Sequence, residues 1–335
     1  MSHATGPSAV ATDASVATAA LAPGGGAAPV RGADQVEVPR RRRGWLPYLL
    51  VTPSLLAITV LLGWPLVRDV LISFQQLGLA ELIQRRTVWI GLANYREVLA
   101  DPFFWTVVAR TAAFTVVNVA LTMVLGTAVA LLLQAISRPV RVVLSVALVL
   151  AWAVPPISAT VIFQWLFDTQ FGVVNWVLTA LGGNFINHSW FATGLSTFGV
   201  ITLLVVWQAI PLVALSLYAA TTSVADELYE AAAIDGAGGW RRFTSVTWPA
   251  IRPMALVLTF LSVIWDFKVF TQIYGIRQGG PNRETVTLAL YAYQQGIGSR
   301  QFGIAAAISV IMVLLLVSVL AGYLRLMVRS AEEPS

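Results

Sequence analysis

The sequence predicts an all-α, polytopic membrane protein with about six transmembrane helices, and three observations carry that prediction. Apolar residues make up 57% of the 335-residue chain and charged residues only 11%, against ~25% charged in ordinary globular domains. So few charges cannot clothe a surface that meets water, so most of the surface faces lipid. Six stretches have the length, about 20 mostly apolar residues, that a spanning helix needs. The arginines gather near the ends of these stretches, as membrane topology demands.

Taken in order, residues 1–44 are rich in Ala, Gly, Pro, Ser and Thr with no sustained apolar period. They read as a disordered cytoplasmic tail. The tail ends in Arg40-Arg41-Arg42-Arg43, directly before the first apolar run. This resembles the charged region of a signal peptide. The run that follows is long and lacks an A-x-A cleavage signal, so an uncleaved first span is expected. The six runs cover about 47–67, 107–134, 142–166, 199–221, 251–274 and 303–327. Each must be helical, because lipid offers no partner to backbone polar groups. Pro155 and Pro156 interrupt the third run and Pro211 the fourth. Such breaks are tolerated where neighbouring helices or a watery path satisfy the backbone. The organisation is then the tail, a transmembrane domain over 45–329 and a short cytoplasmic tail over 330–335.

With the N-terminus inside, 12 arginines fall on the inner side and 8 on the outer. Both termini are then cytoplasmic. The outer loops are roughly 68–106, 167–198 and 275–302. The first holds an amphipathic stretch, 92–104, with Trp89, Tyr95, Phe103, Phe104 and Trp105 suited to a membrane interface. The second holds a short helix over 173–181, closed by Gly182-Gly183. No internal repeat is visible.

Several function classes drop out. The chain has no cysteine and only His3 and His188, so disulfides, thiolate metal sites and histidine metal clusters are excluded. No basic stripe interleaved with aromatics points to nucleic acid. The sole lysine, Lys268, has no glycine-rich phosphate loop before it, so ATP hydrolysis is not expected on this chain. His188 and Ser189 lack a G-x-S-x-G elbow and read as an exposed polar loop.

The inner loop over 223–253, SVADELYEAAAIDGAGGWRRFTSVTWPAIRP, is the most informative segment. Ser223 is expected to cap a helix, with Asp226 and Glu227 in its opening turn. Helix formers run to Ile234, and Asp235-Gly236 then makes a break, since Gly tolerates positive φ. A second helix is expected over about 239–248, with Pro249 marking the return to the membrane.

In this loop Glu230-Ala231-Ala232 is followed by three residues and Gly236, and nine residues later by Val246, Trp248 and Pro249. The pattern is similar to the E-A-A-x3-G-x9-I-x-L-P of the membrane subunits of binding-protein-dependent ABC importers, with Val246 for Ile and Trp248 for Leu. The wider run E-A-A-x-I-D-G-A-x-x-W-R-R-F resembles their carbohydrate, maltose-importer-like branch. WDFKVF, which holds Asp266 and Lys268, resembles the fifth-span region of cellobiose- or chitobiose-type sugar permeases. The resemblance extends over most of the chain after Trp45. It implies a permease subunit in a bacterial plasma membrane, carrying a di- or oligosaccharide. It implies that Glu230, Ala231, Ala232, Asp235, Gly236 and Pro249, within a coupling loop over 223–250, dock on cytosolic ATPase subunits. Those subunits would use the ATP and Mg, leaving no cofactor on this chain. A second permease and an extracellular sugar-binding protein complete the implied assembly.

Asp266 and Lys268 stand out because a charge at the bilayer centre costs ~2.5–3.5 kcal/mol. Two residues apart, they cannot share a helix face. Each either lines the sugar path or a partner interface, or belongs to a structural pair. Trp207, Gln208 and Tyr291 join them as path candidates. So do Trp152, Gln164, Trp165, Tyr218, Tyr293 and Gln294, although aromatics also form the interface belt of any membrane protein. Gly279-Gly280-Pro281 has a counterpart in the family and also reads as an ordinary turn. The alternative reading is a stand-alone secondary transporter. It requires titratable groups along its path, and the apolar runs offer little beyond Asp266 and Lys268.

Overall fold

The computed structural model describes residues 45–332. The expected tail over 1–44, with its arginine block, and residues 333–335 lie outside the described residues. The chain divides between Leu55 and Leu56 into two units. Among the described residues, five helices are long and apolar enough to cross a membrane, and six if one bent pair counts as a span. Strand is confined to one two-stranded hairpin, so the all-α, multi-span prediction holds.

The first apolar helix combines α1 (Leu46–Ile58), a π turn over Thr59–Gly63 and α2 (Trp64–Ser73). Next, β1 (Gln75–Gln76) pairs antiparallel with β2 (Val88–Trp89) around α3 (Leu79–Gln84). The predicted amphipathic stretch is α4 (Ala93–Ala100), which stops at Asp101. There the chain turns into α5 (Pro102–Ala135). The Asp101 side chain accepts from the Phe103 amide at 2.8 Å, and Pro102 sits where a missing N–H costs nothing.

The third span departs from expectation. It is two helices, α6 (Arg138–Ala153) and α7 (Pro156–Leu166), bent by 100°. The consecutive prolines deny the helix a donor and push the preceding residue to extended backbone. Val154 has ψ 122°. A neighbour serves the break, with Gln208 Nε2 donating to the Val154 carbonyl at 3.4 Å. From α7, Gln164 Nε2 donates to the carbonyls of Gly275 and Ile276 at 2.7 and 3.0 Å, fastening α7 to the 271–277 segment.

After the predicted short helix, α8 (Val173–Ala180), comes α9 (Gly194–Thr221). It packs along α5 with small residues between the backbones. At Gly126 an added Cβ would lie 2.5 Å from Val213 Cγ1. The inner loop holds α10 (Asp226–Ile234) and α11 (Gly239–Arg242). A π turn over Phe243–Thr247 leads directly into α12 (Trp248–Phe267). The fifth span thus ends at Phe267 rather than near Tyr274, and a separate α13 (Thr271–Arg277) follows. α14 (Leu288–Tyr293) and α15 (Phe302–Glu332) complete the fold. The larger core cluster holds Phe104, Ile201, Leu204, Ile273, Leu288 and Ile308, all fully buried. A smaller cluster around Leu217, Ile251 and Leu258 joins α9 and α12.

Candidate functional site

The inner loop begins differently from the sequence expectation. Ser223 Oγ donates to the Ala220 carbonyl at 2.7 Å, so this hydroxyl closes α9 and does not cap α10. A serine near a helix end has both options, and the backward bond wins here. Ala225 stands at the N-cap, and Asp226 and Glu227 occupy the opening turn, where the helix dipole favours their charge. Glu230, Ala231 and Ala232 follow in mid-helix. The helix closes with two bonds, Gly236 N to the Ala233 carbonyl at 3.0 Å and Ala237 N to the Ala232 carbonyl at 2.9 Å. This paired closure requires a left-handed residue after the cap. Gly236 supplies it with φ +72°, and no heavy atom lies within 4 Å of where its Cβ would be. The glycine is therefore demanded by its backbone and not by crowding.

Beyond the turn, the second predicted helix is not a separate unit. α11, the π turn and α12 form one 29-residue helix, Gly239–Phe267. Pro249 continues that helix into the membrane instead of ending one. The π turn just before Trp248-Pro249 widens the spiral where the proline ring would otherwise press on the preceding turn. The hydroxyls of Tyr229 and Thr247 meet at 3.1 Å, fastening α10 to this helix. Leu228, Ile234 and Trp240 are 55%, 87% and 77% exposed, so the loop presents apolar side chains outward.

At the other end of the same helix lies a cavity of about 450 Å³, lined by Trp152, Gln208, Trp265, Asp266, Lys268 and Gln272, among others. It sits where the break between α6 and α7 faces the end of α12. Asp266 is only 5% exposed, and its Oδ2 is buried with no hydrogen-bond partner. Gln272 Nε2 donates to Gln208 Oε1 at 3.1 Å. Lys268 is the C-terminal cap of α12 and is exposed, at the helix end rather than deep within a span.

Three of the five path candidates, Gln208, Asp266 and Lys268, therefore meet in one cavity. The other two do not line it. Trp207 is half-buried against Phe163, with ring centroids 5.8 Å apart. Tyr291 is 4% exposed and donates to Asp101 Oδ2 at 2.9 Å. Burial pushes its hydroxyl pKa up, helped by the Asp101 bond. Gln272 escaped the sequence reading because the apolar run seemed to continue through it. His188 packs edge-on between Phe185 and Trp190, an aromatic cluster with no nucleophile in it.

Comparison with known proteins matches residues 122–330, more than half of the chain, to the family described as binding-protein-dependent transport system inner membrane component. The chain is 50% identical over 303 residues to the diacetylchitobiose uptake system permease protein DasB of Streptomyces coelicolor, covering 90% of this chain and 92% of that one. It is 33% identical to the trehalose/maltose transport system permease protein MalF of Thermococcus litoralis, covering 85% and 94%. Among solved structures, a chain of a bacterial ABC transporter that imports the acidic polysaccharide alginate matches with a TM-score of 0.75 at 19% identity. That match covers 86% of this chain and 96% of that one. With its multiple apolar helices and these matches, the chain belongs to the binding-protein-dependent transport system inner membrane component family, as an ABC importer permease subunit.

Proposed function

We propose that this permease conducts a sugar, a di- or oligosaccharide, as half of a translocation path shared with a second, similar permease. The observation that carries the cargo reading is the cavity at the end of α12. It combines an unpartnered carboxylate oxygen, two amides and two indoles. Few convergent polar groups among aromatic walls suit a neutral polyhydroxy ligand. A sugar hydroxyl can donate to Asp266 Oδ2, and Gln208, Gln272 and Lys268 supply further contacts. Trp152 and Trp265 offer faces to the pyranose rings. The cargoes named for the relatives, diacetylchitobiose and trehalose/maltose, support the same class.

ATP and Mg are used on separate cytosolic ATPase subunits, and this chain carries no cofactor. Both termini face the cytoplasm. Glu230, Ala231, Ala232, Asp235, Gly236 and Pro249 belong to the element that docks there. ATPase closure shifts α10, which Tyr229 and Thr247 tie to the 29-residue helix. From Thr247 that helix carries the displacement over ~29 Å, at 1.5 Å per residue, to Asp266. An extracellular binding protein delivers the sugar to the outer loops. This is supported by a related alginate transporter solved with an alginate pentasaccharide-bound periplasmic protein. The cycle breaks and makes no covalent bond on this chain.

Uptake of radiolabelled diacetylchitobiose and maltose by cells carrying Asp266→Asn tests the path. Losing a charged acceptor is worth ~1.5–3 kcal/mol, so the KM for transport should rise roughly 10- to 100-fold. Unchanged uptake of every sugar tried would remove Asp266 from the path.

A further inference from the structure

A second cavity, of about 640 Å³, lies at the inner end of α5 and α12, away from the path. Its walls include Met123, Ala128 and Leu131 of α5, and Trp240, Phe243 and Trp248 of the coupling segment. The side-chain polar groups among its lining are the hydroxyls of Thr127 and Thr259 and the indole N–H groups of Trp240 and Trp248. The Thr259 hydroxyl is already used on the Ala255 carbonyl at 2.8 Å. An occupant therefore meets apolar side chains almost everywhere.

The end of this groove is charged. Arg241 and Arg242 stand between the lining residues Trp240 and Phe243. Arg252 lies four residues from Trp248 and three and four from Ala255 and Leu256, on one stripe of the helix. All three arginines are exposed and make no side-chain hydrogen bond among the described residues. Residues 237–265 contain these three arginines and no acidic residue. On α5 the cavity runs from Met123 to Leu131, roughly 12 Å at 1.5 Å per residue. One leaflet of the ~30 Å hydrocarbon core is about 15 Å deep. The groove therefore has an apolar shaft one leaflet deep and a cationic end. Trp240 and Trp248 stand at that end, where indoles favour the headgroup level.

We infer that this groove is a binding site for an anionic phospholipid, with an acyl chain between α5 and α12 and the phosphate at Arg241 and Arg242; Arg252, about 15 Å further along the helix at 1.5 Å per residue, adds a longer-range attraction. A helix of a partner permease would have to face these exposed arginines, whereas a lipid phosphate meets Arg241 and Arg242 with an anionic charge. Because Trp240, Phe243 and Trp248 belong to the coupling segment, the lipid contacts the same helix that carries motion toward Asp266. Lipid composition thereby sets how readily the segment moves.

The experiment uses the assembled transporter, purified from native membranes and reconstituted in nanodiscs of phosphatidylcholine alone or mixed with phosphatidylglycerol. A photo-crosslinking residue at the exposed position Ala128 should give an adduct with the mass of a phospholipid, enriched for phosphatidylglycerol over phosphatidylcholine. Combining Arg241→Gln, Arg242→Gln and Arg252→Gln should cut that preference roughly 30- to 100-fold, since each arginine near a surface is worth ~1 kcal/mol toward an anionic lipid. A crosslink to another polypeptide would overturn the proposal and give the groove to a partner permease. Equal labelling by both lipids, unchanged in the triple variant, would overturn it too, leaving only the general lipid annulus.

Discussion

Gly236 and Asp266 stand at opposite ends of the proposed coupling route, and each makes a residue-scale prediction. Gly236 has φ +72° in open space, so any side chain there strains the backbone without a clash elsewhere. Gly236→Trp should leave membrane insertion and abundance near wild type and abolish uptake, read by immunoblot beside a transport assay. Normal uptake would count strongly against a docking role for this turn. Asp168 makes a different prediction. Its carboxylate accepts from the Gln170 and Phe171 amides at 2.8 and 2.9 Å, and these bonds hold its pKa below the ordinary 3.8. A folded-state pKa below the unfolded value stabilises fully above the unfolded pKa and is lost as pH falls through the folded one. Protection of the Gln170 and Phe171 amides, taken relative to their intrinsic exchange rates, should therefore hold at neutral pH and fall in strong acid. In Asp168→Asn that acid-dependent loss of protection should vanish.

At the scale of elements, spans were legible because lipid forces apolar runs into helices. Their ends and bends were less so. Pro155 and Pro156 signal a break, but its 100° angle is served by Gln208, which is distant in sequence. The fifth run hides its helix end because Val269 and Phe270 are as apolar as the span before them. Charge marked Asp266 and Lys268 as unusual, whereas Gln272 carried no such mark. Twice a π turn immediately precedes Trp-Pro, over Thr59–Gly63 before Trp64-Pro65 and over Phe243–Thr247 before Trp248-Pro249. Period and composition do not reveal such a turn. If Gly239–Phe267 is the lever, inserting one residue within 243–247 turns its two ends by about 100°. ATP hydrolysis by the reconstituted assembly should then persist while sugar uptake is lost. Intact uptake would mean that the helix is not the transmitting element. Where α5 and α9 touch, Gly126→Leu drives atoms into Val213. Overpacking costs about 1–3 kcal/mol, visible as a lower melting temperature in detergent.

On the scale of the whole molecule, an apolar chain with few charges, an inner loop of fixed spacing and a matching fold lead to one account. The chain is an ABC importer permease, and on the proposed account its energy comes from a separate ATPase. The glycine of the EAA-type spacing was readable because it has a backbone reason, the positive φ of Gly236. The cavity around Asp266 was only half readable, since it is assembled from α9, α12, α13 and the break between α6 and α7. The most direct measurement is affinity purification of this chain from its native membrane in mild detergent, with mass spectrometry of its companions. The account predicts a cytosolic ATPase, a second multi-span permease and a sugar-binding protein. Recovery of the chain alone, repeated after crosslinking, together with uptake driven by a proton gradient, would contradict it and favour a stand-alone secondary transporter.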